Sequence, residues 1–324
     1  MYKRFKKSVL SASWRAGAFE LLKPIPSNCA RIIMYHRFSK TFCPSKLSQA
    51  SFEQQIRLLV KRFKVVDLAE IVAWVKRCRV GPKNCVSITV DDGYKDFYLN
   101  AYPVLKKYNL PATVFLTTGF VDEKKWLWPD KNIYILKNSK VKSFDFRLGD
   151  GVVGFDIRTA EKRHRSQLTI FQYCTTVTDE EKDRLIASLG DRLEVEVPDE
   201  PTQEYLGLEW PEIVEMRKNN IRFGSHTVLH PILSKVSPER LHDEIVNSKE
   251  TIERRLGDEV SLFCYPNGNY SDLIIKVLRE ARYTGAVTAD YGFNRRQTDP
   301  FKLKRIGSSE GPIYYFARRM FFPL

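Results

Sequence analysis

The segment CVSITV (Cys85 to Val90) is apolar or β-branched at nearly every position and runs straight into Asp91-Asp92-Gly93. A short run of this kind reads as a strand buried on both faces, which places it inside a parallel sheet. Its surroundings have the matching rhythm. ARIIMYH (Ala30 to His36) and ATVFL (Ala112 to Leu116) are further buried strands, and SFEQQIRLLVKRF puts Phe52, Ile56, Leu59 and Val60 on one helical face, continued by Phe63. A second helix is predicted over Asp67 to Lys76 with Asp67 as its N-cap. Another starts near Asn100, leaving Pro103 in the first turn where its missing N–H costs little. Later come a helix from Trp210 to Asn219, a strand at Ile221 to Gly224, a long helix from Pro238 to Leu256 and a strand in VSLFCYP. The helix SDLIIKVLREAR and TGAVT, as the final core strand, complete the series. Alternation of this kind argues for a parallel sheet covered by helices, either open or closed into a barrel.

One region breaks the rhythm. Residues from about 121 to 208 are rich in charge, with β-like pieces (FDFRL, VVGFDI) and a helical piece (DEEKDRLIASLG). They read as an insertion growing from a strand end, where insertions shape substrate clefts. The domain organisation expected is a basic amphipathic segment over 1–25 and one catalytic domain over 26–324 that carries this insertion.

The 324 residues are enough for a sizeable core, and 43% hydrophobic content excludes a disordered chain. No run of about 18 apolar residues occurs, so a spanning helix is not expected. Lys and Arg exceed Asp and Glu by 14, which implies an anionic neighbour without saying which. Six cysteines lie scattered with no C-x-x-C pair, which favours a reducing compartment. The N-terminus opens with a basic stretch like a leader's, but Ser11, Ser13, Arg15 and Glu20 interrupt the apolar run that should follow. The expected location is therefore cytoplasmic.

Asp91-Asp92-Gly93 could be only a tight turn. Its place at the C-terminal end of a buried strand, where parallel α/β folds keep their reactive groups, favours chemistry. Neighbouring side chains point apart on a strand, so one carboxylate can hold a cation while the other takes a proton. His226 and His230 stand four apart in GSHTVLHPILS, just after a predicted strand. Two neutral imidazoles and one carboxylate form a zinc set with positions left for water and substrate.

TVDDGY, GSHTVLHPILS and FCYPNG, in that order, resemble the polysaccharide deacetylase family (the NodB-homology domain of carbohydrate esterase family 4). MYHR and the stretches LSQASFEQQIRLLVKRFKVVDLAEI and Trp210 through Ser248 resemble members from bacterial surface-polysaccharide loci. The resemblance implies a distorted (β/α) barrel with fewer than eight strands and metal-dependent removal of acetyl groups from N-acetylated sugars. Position by position, it implies that Asp91 is the general base, that Asp92, His226 and His230 bind the metal, and that the backbone N–H of Asn267 holds the oxyanion. The metal expected is zinc, with Co, Ni or Mn also suited to an N/O donor set.

Two departures stand out. Many members have an Arg that orients the base where this chain has Cys264; Arg37 or Arg305 could supply that charge. The general-acid His that a common version places near the C-terminus is missing, since no histidine follows His242. Some exopolysaccharide deacetylases resemble an arrangement with that His in an early strand reading Tyr-His, which Tyr35-His36 matches. His36 is then the candidate acid.

Trp126 and Trp128 are candidates for sugar stacking or for anchoring the insertion, and Tyr265 and Arg305 are further candidates for substrate binding. The ends are basic and aromatic (Lys3, Arg4, Lys6, Lys7 and Arg15 among apolar residues; IYYFARRMFFPL), which suits peripheral contact with the inner membrane. The substrate expected is an N-acetylated amino sugar in a bacterial surface polysaccharide or its lipid-linked precursor. Alternatives are a sugar deformylase on the same scaffold and a degenerate glycan-binding domain; nucleic acid is not an expected partner, for no motif supports it.

Overall fold

The structure, a computed structural model, describes residues 28–76 and 84–322. The segment over 1–25, with its expected membrane contact, and Cys78 lie outside the described residues. The strands are β1 (Ala30–Tyr35), β2 (Phe38–Ser39), β3 (Leu47–Ser48), β4 (Lys64–Val65), β5 (Cys85–Val90), β6 (Ala112–Leu116), β7 (Ser143–Leu148), β8 (Gly151–Asp156), β9 (Ile221–Ser225), β10 (Leu262–Cys264), β11 (Gly285–Tyr291) and β12 (Leu303–Gly307).

Seven of them form a closed parallel ring in the order β1-β12-β11-β10-β9-β6-β5, which β1 and β5 close in register from Ala30 opposite Cys85 to Tyr35 opposite Val90. One edge of β5 is taken along its length by β1. The other is shared by β4 at its start and β6 at its end. This is a distorted (β/α) barrel, as expected. The sheet does not end with TGAVT, however: β12 follows and pairs with both β11 and β1, so it closes the ring.

Alternation along each strand divides the core in two. Val86, Ile88 and Val90 of β5 face outward and pack with Phe52, Ile56 and Leu59 of the helix Gln49–Arg62. Ala30, Ile32, Phe115, Cys264, Val287 and Leu303 fill the interior, and the helix Leu68–Val75 plugs its lower end. That helix is capped by Asp67, whose Oδ1 accepts from the Ala69 N–H at 2.9 Å. Val60 is 47% exposed, against expectation. Gln55 is buried in that helix instead, because it accepts a hydrogen bond from the Tyr35 hydroxyl.

The helix Pro238–Leu256 has the expected bounds, with Ser237 as N-cap and Gly257 ending it in the left-handed conformation. The helix expected from Asn100 is two helices, Lys95–Asn100 and Tyr102–Lys107, broken at Ala101 just before Pro103. Pro103 has no N–H with which to continue the first.

Between β6 and β9 the chain builds a second core from the β7–β8 hairpin and the helices Trp128–Asn138, Ala160–Cys174 and Asp179–Arg192. Ile135, Phe144, Phe155, Ile170, Ile186 and Leu189 pack together there. The C-terminal helix Ile313–Phe321 buries Ile313, Phe316, Ala317, Met320 and Phe321. Its apolar face packs on the barrel, with the Phe321 and Phe63 rings 5.8 Å apart.

Candidate active site

β5 delivers Asp91 and Asp92 to the mouth of the barrel by turning sharply rather than continuing. Asp92 and Gly93 both have positive φ, 73° and 88°. A Cβ on Gly93 would lie 3.0 Å from Leu116 Cδ2, so only glycine fits the turn comfortably. The turn brings the two carboxylates to one locality; on a continuing strand they would diverge.

Asp91 is 2% exposed and accepts from Arg305 Nη1 at 2.7 Å. Arg305 is equally buried, and its Nε donates to the Thr288 carbonyl at 2.7 Å. Burial opposes the Asp91 charge, but Arg305, together with His36 and His226, offsets it and holds the carboxyl below its usual range. Arg305 is therefore placed to orient Asp91, and it also lines the cleft as a candidate for substrate binding. It fills the role left vacant by Cys264, whose Sγ is 3.3 Å from Arg305 Nη2. Arg37 does not share in this: it donates to Asp96 at 2.7 Å and lies over the Tyr94 ring.

β9 ends at Ser225, and His226 and His230 sit on the irregular loop that follows, their ring centroids 4.8 Å apart. The Cys264 carbonyl lies 2.8 Å from His226 Nδ1. A carbonyl only accepts, so Nδ1 carries a proton, and Nε2 faces Asp92 Oδ1, 3.4 Å away. His230 Nε2 is 3.6 Å from the same oxygen. Burial, then the His226 charge, pushes His230 down to about 4, so it is neutral at ordinary pH. Burial also opposes a charge on His226, yet Cys264 and Asp92 raise its proton affinity well above the usual value. Three electron-pair donors converge within 4.8 Å and draw positive charge in, which fits a divalent cation. Asp91, His226 and Cys264 also cluster, but the Arg305 guanidinium already occupies the space between Asp91 and the thiol.

His36 stands at the rim with its side chain 46% exposed and Nε2 3.6 Å from Asp91 Oδ2. Asn267 follows Pro266 with φ of 55°, and Gly268 beside it packs so tightly that a Cβ would lie 2.5 Å from that of Ala289. The Asn267 N–H is bonded to nothing among the described residues. These groups line a cleft of about 260 Å³ with Met34 and Tyr94.

Trp126 and Trp128 do not join them. Trp126 donates to the Pro198 carbonyl at 2.8 Å; Trp128 donates to the His230 carbonyl at 3.2 Å and stacks on Phe171. Both border a separate hollow of about 710 Å³ between insertion and barrel. The smaller cleft is the better candidate site, because only there do carboxylates and imidazoles converge. At 8% and 4% exposure the two indoles are anchors, and the stacking platform is corrected accordingly. Tyr265 is 1% exposed and donates its hydroxyl to the Phe301 carbonyl, so its hydroxyl is committed to the fold rather than to substrate. His164 and His242 lie far from this cluster, beside Gln167 and Asp243.

Sequence reasoning left Arg37 and Arg305 as alternatives for orienting the base, and the structure pairs Arg305 with Asp91 through β12, a strand it did not foresee. That reasoning missed Glu244, which did leave a signal: a carboxylate inside the buried stripe Leu241, Ile245, Ser248, Ile252 of its helix.

A parallel barrel whose mouth gathers an Asp–His–His set that could hold a cation, with a second aspartate beside it, is suited to hydrolysis. The family model described as polysaccharide deacetylase matches residues 79–152 and 157–286, and the chain belongs to that family, hydrolases of the amide bonds in N-acetylated sugars. Relatives of the exopolysaccharide type are among those it resembles. The poly-beta-1,6-N-acetyl-D-glucosamine N-deacetylase of Staphylococcus aureus (strain MSSA476) is 31% identical over 173 residues, 47% of this chain and 57% of that enzyme. YxkH of Bacillus subtilis (strain 168) is 22% identical over 86% of this chain and 71% of its own length. The fold is shared with Streptococcus pyogenes deacetylase PplD in complex with acetate (TM-score 0.62, 19% identity, 93% of this chain and all of that one). It is shared also with IcaB from Ammonifex degensii (TM-score 0.59, 18% identity, covering 90% and 97%).

Proposed function

We propose that this protein is a divalent-metal N-deacetylase that hydrolyses the acetamide of an amino sugar in a bacterial surface polysaccharide or its lipid-linked precursor. The observation that carries this reading is the convergence of Asp92, His226 and His230 beside the Arg305-held carboxylate of Asp91. The S. aureus relative, named for N-deacetylation of poly-N-acetylglucosamine, supports the substrate class.

Asp92, His226 and His230 would hold the cation, zinc by the donor set. When bound it supplies Lewis acidity toward the amide carbonyl and lowers the pKa of water toward about 7. Asp91 takes a proton from the attacking water as the new C–O bond forms. The N–H of Asn267 hydrogen-bonds to the carbonyl oxygen as negative charge grows there. His36, on the open side of the cleft, gives a proton to the nitrogen as the C–N bond breaks. The products are the free amine and acetate.

The test is acetate release from an N-acetylglucosamine oligomer with metal supplied, comparing the wild type with Asp91→Asn. Turnover unchanged by that substitution removes the proposed base. Formate release from the matching N-formyl sugar, with no acetate from the N-acetyl oligomer, would assign the scaffold to a deformylase.

A further inference from the structure

The loop that carries His226 and His230 is held in a strained shape. Thr227 and His230 both lie in the left-handed region, at φ of 70° and 56°, with no glycine to relieve them. The His230 N–H donates to Thr227 Oγ1 at 3.0 Å inside the loop, and contacts from outside add to that hold.

Two contacts do so. The backbone N–H groups of Val228 and Leu229 both donate to Glu244 Oε2, at 2.8 and 2.9 Å. The Trp128 indole N–H donates to the His230 carbonyl. Glu244 is 3% exposed, and its other oxygen faces Arg240 at 3.8 Å. Arg240 in turn pairs with Asp179 at 2.6 Å; Asp179 pairs with the buried Lys182, and Lys182 lies 5.5 Å over the Trp128 ring. The chain of contacts thus runs from the insertion back to the loop. Charge-assisted bonds to backbone N–H are short and directional, which suits a carboxylate to clamping two adjacent peptides.

We propose that Glu244 is a positioning residue for the cation: by clamping the Val228 and Leu229 peptides it holds His226 and His230 in their metal-receiving arrangement, and Trp128 of the insertion braces His230. The inference rests on the metal reading above. Outer groups that orient metal ligands are worth about 10–100-fold in metal affinity.

The experiment uses the full chain stripped of metal and titrated with Co²⁺, followed by its visible absorption, with melting of the apo form measured alongside. Glu244→Leu is expected to weaken Co²⁺ binding about 10–100-fold. Glu244→Gln keeps an acceptor oxygen and should lie closer to the wild type than to the leucine variant. Trp128→Phe keeps the stack on Phe171, loses the N–H, and should weaken binding less than Glu244→Leu. Wild-type affinity in Glu244→Leu, with only the melting temperature changed, would overturn the proposal by leaving Glu244 a merely structural residue. So would an equal loss in the glutamine and leucine variants. If the leucine variant does not fold, wild-type affinity in Trp128→Phe overturns the bracing, and weakened affinity upholds it. A wild type that takes up no Co²⁺ would defeat the metal reading itself.

Discussion

Two groups of buried charges hold this molecule together, and they are built differently. Asp91 and Arg305 form an isolated pair on the barrel axis, both 2% exposed, with the reactive cleft on one side and apolar core on the other. Asp179, Lys182, Arg240 and Glu244 form a four-membered cluster between insertion and barrel, two of each sign, with Arg240 reaching solvent at 30% side-chain exposure. The first has little cover: without Arg305, Asp91 keeps only the His36 ring at 3.6 Å beside it. The second shares its charge among neighbours and water. Burial alone therefore does not set the importance of a charge; the number of partners left after a loss does.

The largest effect is expected at the isolated pair. Asp91→Asn should lower acetate release about 10²–10⁴-fold, the range for losing a positioned general base. Next, Arg305→Met leaves Asp91 buried without a counter-charge and should cost about 3–5 kcal/mol in urea unfolding. A cost below about 1 kcal/mol would show that water or a rotamer change rescues Asp91, and the contrast with the cluster would fail.

Asp130 lies between these extremes. It is 3% exposed, accepts from the Tyr94 hydroxyl at 2.8 Å, and has Arg37 only at 3.9 Å. Burial pushes its carboxyl up to about 7 despite Arg37 and Tyr94. The folded chain thus binds this proton more tightly than the unfolded chain, whose carboxyl titrates near 3.9. Between those values the folded state carries more protons, so Asp130 makes stability fall as pH rises. Asp130→Asn should remove that decline, a difference of roughly 1–3 kcal/mol between pH 5 and 7. Parallel pH profiles for the two proteins would show that Asp130 is ionised throughout.

The smallest effect is expected within the cluster. Lys182→Met leaves Asp179 paired with Arg240 and should cost at the low end of about 1–3 kcal/mol. A loss matching that of Arg305→Met would break the comparison.

The sequence is most legible where local chemistry repeats. CVSITV is a strand because its side chains suit burial on both faces, and Pro238–Leu256 is a helix with a Ser cap before it and Gly after it. β12 shows the limit. Its LKRIG puts Lys304 outward and Arg305 inward, and a basic pair does not read as a core strand. The insertion helix Ala160–Cys174 was missed for a related reason, since it buries only Ser166, Ile170 and Cys174 in a polar run. Within the site, the motifs marked Asp91, Asp92, His226 and His230, and resemblance pointed to His36 and Asn267. What they could not convey was the pairing of Asp91 with Arg305 or the clamp from Glu244.

Chain order alone determined a parallel α/β class, most of its strands and the residue types that meet at one end of them, because hydrophobic period, caps and short motifs act over a few residues; the closed barrel came from the resemblance those motifs carry. Which cation faces Asp91, which tryptophans brace rather than stack, and what holds the histidine loop were decided only by tertiary structure. Those contacts join residues far apart in the chain, and a buried charge shows its purpose only when the partner that neutralises it is in place.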